Sequence, residues 1–349
     1  MISPTRAFVA SIAVTVLLAT AACSGDAKKK ASPSVSATTS AAASSSTPAP
    51  APAPARKLNP YTGLGSVPTT PTIAVKIDDT PPGRPQVAID LADIVYIEEA
   101  EGGLSRLAAI FGSHKPTVGY VRSTRPSDPD LLLQFGRITE AASGGGHDAL
   151  PLLDKSGIKG WINDRGAAYY HRQSRNESSY INLLLDLFKV AKDARTALPK
   201  PMGFTFAAAS PQLATAQKAI DIHTRVGSQV VEFRYSYTLH KYIRYIDGVA
   251  QRAADGQLVA TRNVIVQTCR IIPHPQDTDV NGNPSQFTIT VGHGAVAVFR
   301  DGKRIDGSWI RGALSGGTLL RTSKGAPILL GPGNTWVALV RPGVGATSH

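Results

Sequence analysis

Thr72-Ile73-Ala74-Val75-Lys76-Ile77 reads as a buried strand, and it ends in Asp78-Asp79 ahead of the turn Pro81-Pro82-Gly83. Short apolar runs bounded by turn residues mark strands. The same reading extends downstream. Ile94-Val95-Tyr96-Ile97 predicts a second strand ending in Glu98-Glu99, residues 106–111 a third and 118–121 a fourth. Residues 86–91 suit a short helix, and residues 128–137 and 182–194 have helical spacing of apolar side chains. Strands alternating with helices predict an α/β arrangement.

Beyond residue 203 the pattern changes. One helix over 211–220 precedes short strands over 230–237, 242–246, 264–270, 287–291, 295–300, 303–309, 318–322, 327–330 and 335–341. Asp247-Gly248, Asp255-Gly256, Asn281-Gly282 and Asp301-Gly302 punctuate them, and Asp301-Gly302 between alternating runs predicts a two-residue hairpin. Regular short strands predict a small barrel or sandwich. The expected fold is therefore α+β overall. An N-terminal α/β domain spans 57–202, a mainly β C-terminal domain spans 203–343, and a tail follows over 344–349.

Upstream of the body the chain is built differently. Arg6 and the apolar run over residues 8–19 predict a signal peptide over 1–22, too short for a stable span. Thr20-Ala21-Ala22-Cys23 places small residues before a cysteine, as lipoprotein signal peptidase requires, so Cys23 is the expected lipidation site. Residues 23–56 form a low-complexity tether: Lys28-Lys29-Lys30, then Ser, Thr and Ala, then an Ala-Pro repeat that cannot bury apolar surface. With Cys23 lipidated only Cys269 remains, so no intrachain disulfide forms, and Cys269 in a strand reads as a buried, inert thiol. The expected location is the cell membrane, lipid-anchored on its extracytoplasmic face.

The formal charge of +12 at pH 7 favours anionic surroundings such as phospholipid head groups or phosphate-bearing wall polymers. Nucleic acid suits the charge but is out of reach of an exported chain. Charged residues gather at predicted strand ends: Asp78 and Asp79; Glu98, Glu99 and Glu101 beside Gly102-Gly103; Arg106; and Arg122-Ser123-Thr124-Arg125. Ligands of α/β folds bind outside the carboxyl ends of strands, so parallel strands would bring these groups to one rim. Such a rim can hold a polar ligand, poise a general acid and base, or bind a metal; a solvated rim of mutual salt bridges is the plain alternative.

Arg122 and Arg125, with hydroxyls between them, resemble a clamp for phosphate or carboxylate. In Ser143-Gly144-Gly145-Gly146-His147-Asp148 the glycines allow close backbone approach to a ligand, and His147 is a candidate base. The run lacks the Lys-Ser/Thr ending of a nucleotide P-loop, which excludes ATP and GTP binding of that kind. Tyr170-His171-Arg172-Gln173-Ser174-Arg175 adds two arginines to the rim or is a solvated loop. Trp309 and Trp336 read as core.

Several segments carry a family resemblance: Asn59-Pro60-Tyr61-Thr62-Gly63-Leu64, Arg84-Pro85-Gln86, Ala92-Asp93-Ile94-Val95-Tyr96, Glu101-Gly102-Gly103, Val121-Arg122-Ser123-Thr124-Arg125 and Gly331-Pro332-Gly333-Asn334-Thr335-Trp336. Together they resemble the YerB-like bacterial lipoproteins, a two-domain family of unknown function. The resemblance implies architecture and location rather than chemistry. It also implies that Arg84, Asp93, Glu101, Arg106, Arg122 and Arg125 share one polar site; Arg172 and Arg175 are ligand-binding candidates beside it on the reading of their own segment.

The expectation is a non-enzymatic lipoprotein that binds an anionic envelope component or a protein partner. Arg84, Arg106, Arg122 and Arg125 would hold the anion, oriented by Asp78, Asp93 and Glu101. The alternative is a cell-envelope hydrolase, metal-assisted or not, using Asp78, Asp79, Glu99 and His147; a scaffold without a ligand is the third reading. The sequence requires no cofactor and leaves any metal open.

Overall fold

The computed structural model describes residues 57–174 and 181–349. The signal peptide, the tether with Cys23, and Arg175 lie outside the described residues.

Ile73–Asp78 (β1), Ile94–Glu99 (β2) and Ser105–Phe111 (β3) are buried at every position. Strand side chains alternate between faces, so burial throughout requires cover on both. On one face Ile73, Val75, Val95, Ile97 and Phe111 share a core with Ile222, Phe233, Tyr242 and Trp336. On the other, Ala74, Ile94, Tyr96 and Ile110 pack with Leu131, Phe135 and Leu153.

These strands lie within an eleven-stranded mixed sheet. β3 is antiparallel to both β1 and β2. β1 runs parallel to Thr139–Ala142, which runs parallel to Lys159–Ile162. β2 runs parallel to Thr335–Val340, and that strand to Asn263–Thr268; Gly292–Arg300 and Lys303–Arg311 then extend the sheet antiparallel. A late segment of the chain thus pairs with β2, and strands from both sequence units form one hydrogen-bonded sheet. A smaller antiparallel sheet built on Asp221–Val226, Gln229–Ser236 and Lys241–Ile246 covers one face.

The fold is mostly β. The expectation is a small barrel or sandwich; among the described residues no sheet closes into a barrel, and an open mixed sheet carries a second sheet packed on one face. Several predicted helices shorten or split. Residues 128–137 hold the helix Asp128–Leu132 and a 3-10 turn, Leu133–Phe135. Residues 182–194 divide into the strand Leu183–Asp186 and the helix Leu187–Asp193, because the Asp186 carboxylate accepts the Lys189 N–H at 3.1 Å and caps the helix there. Residues 211–220 give a 3-10 turn, Pro211–Ala214, and the two-residue strand Gln217–Lys218. Tyr170–Arg172 is a short strand rather than a loop. The Asp301-Gly302 hairpin forms, with both residues at positive φ (54° and 71°), as a type I′ turn demands.

One consequence positions the site. β1, β2, Thr139–Ala142, Lys159–Ile162, Asn263–Thr268 and Thr335–Val340 all run the same way, so their carboxyl ends share a rim. Antiparallel β3 brings its amino end, Ser105-Arg106, to the same rim.

Candidate functional site

Neighbouring strand residues point to opposite faces, and this divides the acidic pairs. Asp78 Oδ2 lies 3.4 Å from Arg122 Nε. Asp79, on the other face, accepts a two-point ion pair from Arg244 at 2.9 and 2.7 Å and a hydrogen bond from Ser105 Oγ at 2.7 Å. Glu98 turns inward to Lys76. Glu99 accepts two bonds from Arg341, each 2.8 Å, joining the ends of two adjacent parallel strands.

A cleft of about 780 Å3 opens over the rim. Asp78, Glu101, Arg106, Arg122, Ser123 and Arg125 line it, as do Ser143, Asp164 and Arg172. The hairpin Ile271–Thr278 and Pro284–Thr288 supplies a further wall with Asp277, Asp279, Val280 and Ser285. Arg125 Nη2 donates to Glu101 Oε2 at 2.7 Å, and its Nη1 binds the carbonyls of Ser123 and Thr124. Ser285 Oγ lies 2.6 Å from Glu101 Oε1 and 2.8 Å from Asp277 Oδ2, so two carboxylates compete for one hydroxyl proton. Burial pushes the Glu101 carboxyl up, but the Arg125 charge and these hydrogen bonds outweigh it and hold the group below its ordinary value.

Arg106 is different. Cross-strand register sets it between Asp78 and Glu98, yet neither carboxylate comes within ion-pair distance of its guanidinium. It is 5% exposed, its Nη1 donates to the Ser105 carbonyl at 2.9 Å, and its buried Nε has no acceptor. Burial brings its pKa down to about 10 against the pull of Asp78.

Beneath the floor sits a second charged group. Lys76 Nζ donates to Glu98 and to Asp128 Oδ1, the latter at 2.8 Å. Asp128 Oδ2 accepts from the Arg125 N–H at 2.6 Å and Thr124 Oγ1 at 3.1 Å, which anchors the 122–125 segment. Burial, with the Asp128 charge, pushes Glu98 up to about 8. Burial opposes ionisation of Asp128 too, but Lys76 and its hydrogen bonds hold it low. Glu140 is buried beside them, and burial with the Asp128 charge raises its carboxyl well above the ordinary value.

Among the predicted site residues, Asp78, Glu101, Arg106, Arg122, Arg125 and Arg172 line one cleft. Arg84 does not: its guanidinium binds the Asp79 carbonyl, on the Arg244 side. Asp93 is also misplaced by the sequence reading. It sits at the amino end of β2, about 20 Å from the rim by strand rise, where its carboxylate accepts from the Gly112 and Ser113 amides at 2.7 and 2.8 Å and from Ser113 Oγ at 2.6 Å. Asp93 closes a turn. The hydrolase candidates are not brought together either. Asp79 and Glu99 are consumed by Arg244 and Arg341, and exposed His147 contacts Asp148 at 3.1 Å without lining the cleft. Among the described residues no group of three His, Cys, Asp or Glu side chains is placed to hold a metal.

The glycine run has a packing reason. A Cβ on Gly144 would lie 2.2 Å from Asp164 Oδ2, and one on Gly146 would lie 1.9 Å from Asp277 Oδ1. Glycines there let two acids press against the backbone. Cys269 is buried, and its thiol is pushed up to about 12 by burial, as an inert thiol should be.

Two domains of one family match the chain. "Protein of unknown function (DUF3048) N-terminal domain" covers residues 61–200, and the corresponding C-terminal domain covers 220–337. A curated relative, "Putative lipoprotein YerB" of Bacillus subtilis (strain 168), is 27% identical over 306 residues, 82% of this chain and 87% of that protein. The chain belongs to the YerB-like family. The crystal structure of the YerB protein from Bacillus subtilis shares the fold, with a TM-score of 0.68 at 23% identity over 82% of this chain and 97% of that one.

In this YerB-like chain the segments that carry the resemblance have separate duties. Glu101-Gly102-Gly103 is the turn into β3, Arg122, Ser123 and Arg125 line the cleft, and Asn334-Thr335-Trp336 starts the strand beside β2. Sequence reasoning missed Lys76, Arg244, Asp277, Ser285 and Arg341. Lys76 carried a usable signal, since a lysine inside a strand covered on both faces requires carboxylate partners. The others are brought in from distant strands and had none. No helix among the described residues is long and apolar enough to cross a membrane.

Proposed function

We propose that this chain is a lipoprotein anchored through Cys23 on the extracytoplasmic face of the cell membrane, where its cleft binds a small anionic component of the envelope. The relative named as a putative lipoprotein supports the anchor, together with Thr20-Ala21-Ala22-Cys23. The observation that carries the binding reading is the gathering of Arg106, Arg122, Arg125 and Arg172 in one cleft at the carboxyl ends of parallel strands. The cleft is not uniformly cationic. Asp164, Asp277 and Asp279 line it too, which favours a ligand with one anionic group over a long polyanion.

Two experiments test this. Mass spectrometry of the native N-terminal peptide is expected to show Cys23 carrying a diacylglyceryl group. Cys23→Ala should move the protein from the membrane to the soluble fraction; an unmodified sulfur on membrane-bound protein would remove the anchor from the proposal. For the cleft, a thermal-shift screen of the detergent-purified full chain uses phosphates, carboxylates, metals and wall fragments. A true ligand at a hundredfold over its Kd adds about 2.7 kcal/mol, several degrees in Tm. Substitution of the cleft arginines, Arg106→Gln and Arg122→Ala, should reduce that shift, and a shift untouched by either would place the ligand elsewhere.

A further inference from the structure

We infer that the group recognised on the cleft floor is a phosphoryl group, held by Arg106 with the hydroxyls of Ser123 and Ser143; this rests on the cleft being a ligand site. Two of the guanidiniums there face a carboxylate already: Arg122 lies 3.4 Å from Asp78, and Arg125 lies 2.7 Å from Glu101. Among the described residues Arg106 has no carboxylate within ion-pair distance. It is 5% exposed, and among the described residues its guanidinium donates to the carbonyl of its own neighbour while its Nε is buried with no acceptor. A buried cation short of counter-charge is unfavourable, and an anion in the cleft that Arg106 lines supplies that charge.

The hydroxyls decide which anion. Ser123 Oγ and Ser143 Oγ are 3.4 Å apart and line the cleft with Arg106. A carboxylate holds both oxygens in one plane, so donors added to a guanidinium fork, such as Ser105 at Asp79 beside Arg244, must come in near that plane. A phosphoryl group is tetrahedral, so oxygens remain out of that plane to accept from hydroxyls. The acidic side chains Asp164, Asp277 and Asp279 then set the rest of the ligand. Beyond the phosphoryl group they accept hydrogen bonds, so hydroxyls or an amine fit and further negative charge does not. A free phosphate ester and a phospholipid head group share this chemistry.

Isothermal titration of the full lipidated chain, in an uncharged detergent and phosphate-free buffer, tests it. Ligands are inorganic phosphate, glycerol 3-phosphate and dihexanoyl phosphatidic acid, set against acetate and glutarate. The phosphoryl compounds are expected to bind roughly tenfold tighter than the carboxylates, and Arg106→Gln to weaken them by about tenfold or more, as loss of charge-assisted hydrogen bonds does. Because Arg106 is buried, that variant can fail to fold. The pair Ser123→Ala with Ser143→Ala, checked for an unchanged Tm, is therefore a second arm. It should weaken phosphoryl binding about threefold to tenfold and leave carboxylates unaffected. Binding of inorganic phosphate or glycerol 3-phosphate would point to a free ester, and of dihexanoyl phosphatidic acid alone to a head group; either supports the inference. Equal binding of both anion classes, or a serine pair without effect, overturns it. Arg106-dependent carboxylate binding without phosphoryl binding overturns it and leaves the cleft a ligand site. No binding of any compound defeats both readings.

Discussion

Arg244→Ala is expected to destabilise the protein by about 3–5 kcal/mol, the range for removing one partner of a buried ion pair. Asp79 is 1% exposed and Arg244 also 1%, and the two meet through two bonds of 2.9 and 2.7 Å. The Arg244 guanidinium also lies 5.1 Å from the Trp336 ring centroid. This pair ties the Lys241–Ile246 strand to the end of β1, so its loss leaves a buried carboxylate without a counter-charge where the smaller sheet packs on the larger. Chemical denaturation followed by tryptophan fluorescence measures the effect. Asp79→Ala should cost a similar amount, and the double variant much less than the two added, since neither charge is then stranded. Additive losses would show that the pair is not the interaction holding these residues.

The pH arm of the same pair has a definite sign. Burial alone would raise the Asp79 carboxyl, but Arg244, Arg84 and Ser105 together bring it below its ordinary value. Its contribution is therefore present above the unfolded pKa of 3.8 and is lost as pH falls through the lower folded value.

The Lys76 group behaves in the opposite way. Stability is expected to fall as pH rises from about 4.5 to about 8, because Glu98 keeps its proton in the folded state across that interval and loses it when unfolded. The folded state then binds the extra proton, so the slope reaches about 1.36 kcal/mol per pH unit before flattening above the folded value. Glu140, raised for the same reason, adds to the fall in the same direction. Glu98→Gln should remove much of the slope; an unchanged profile in that variant would mean Glu98 is ionised in the folded protein. Lys76→Met should cost about 3 kcal/mol or more, because Asp128, 0% exposed, would lose the cation 2.8 Å away. Denaturant midpoints across a pH series measure both effects.

These two groups mark where the reading of the chain stopped short. Asp78-Asp79 and Glu98-Glu99 read as paired carboxylates because they are adjacent in sequence. In a strand adjacency means separation, and a period of two sends Asp78 towards Arg122 and Asp79 towards Arg244. The partners Arg244 and Arg341 stand 165 and 242 residues away along the chain. No local pattern selects one arginine from many at such a distance. The family resemblance groups Asp93 with the rim residues, but strand direction decides which end of the sheet a residue occupies, and Asp93 precedes β2 while Glu101 follows it.

What the chain carried locally was sufficient for other features. The β1 and β2 runs, the Asp301-Gly302 turn and most later strands depend on side-chain volume, β-branching and backbone freedom within a few residues, and those are properties of the string itself. The gathering of Glu101, Arg106, Arg122 and Arg125 was also legible, because each follows or opens a strand. Only tertiary structure decided that Thr335–Val340 pairs with β2 and that, among the described residues, the sheet stays open and Arg106 has no carboxylate within ion-pair distance. Those outcomes depend on which distant strands hydrogen-bond to one another, and that choice is made by the packing of the whole body.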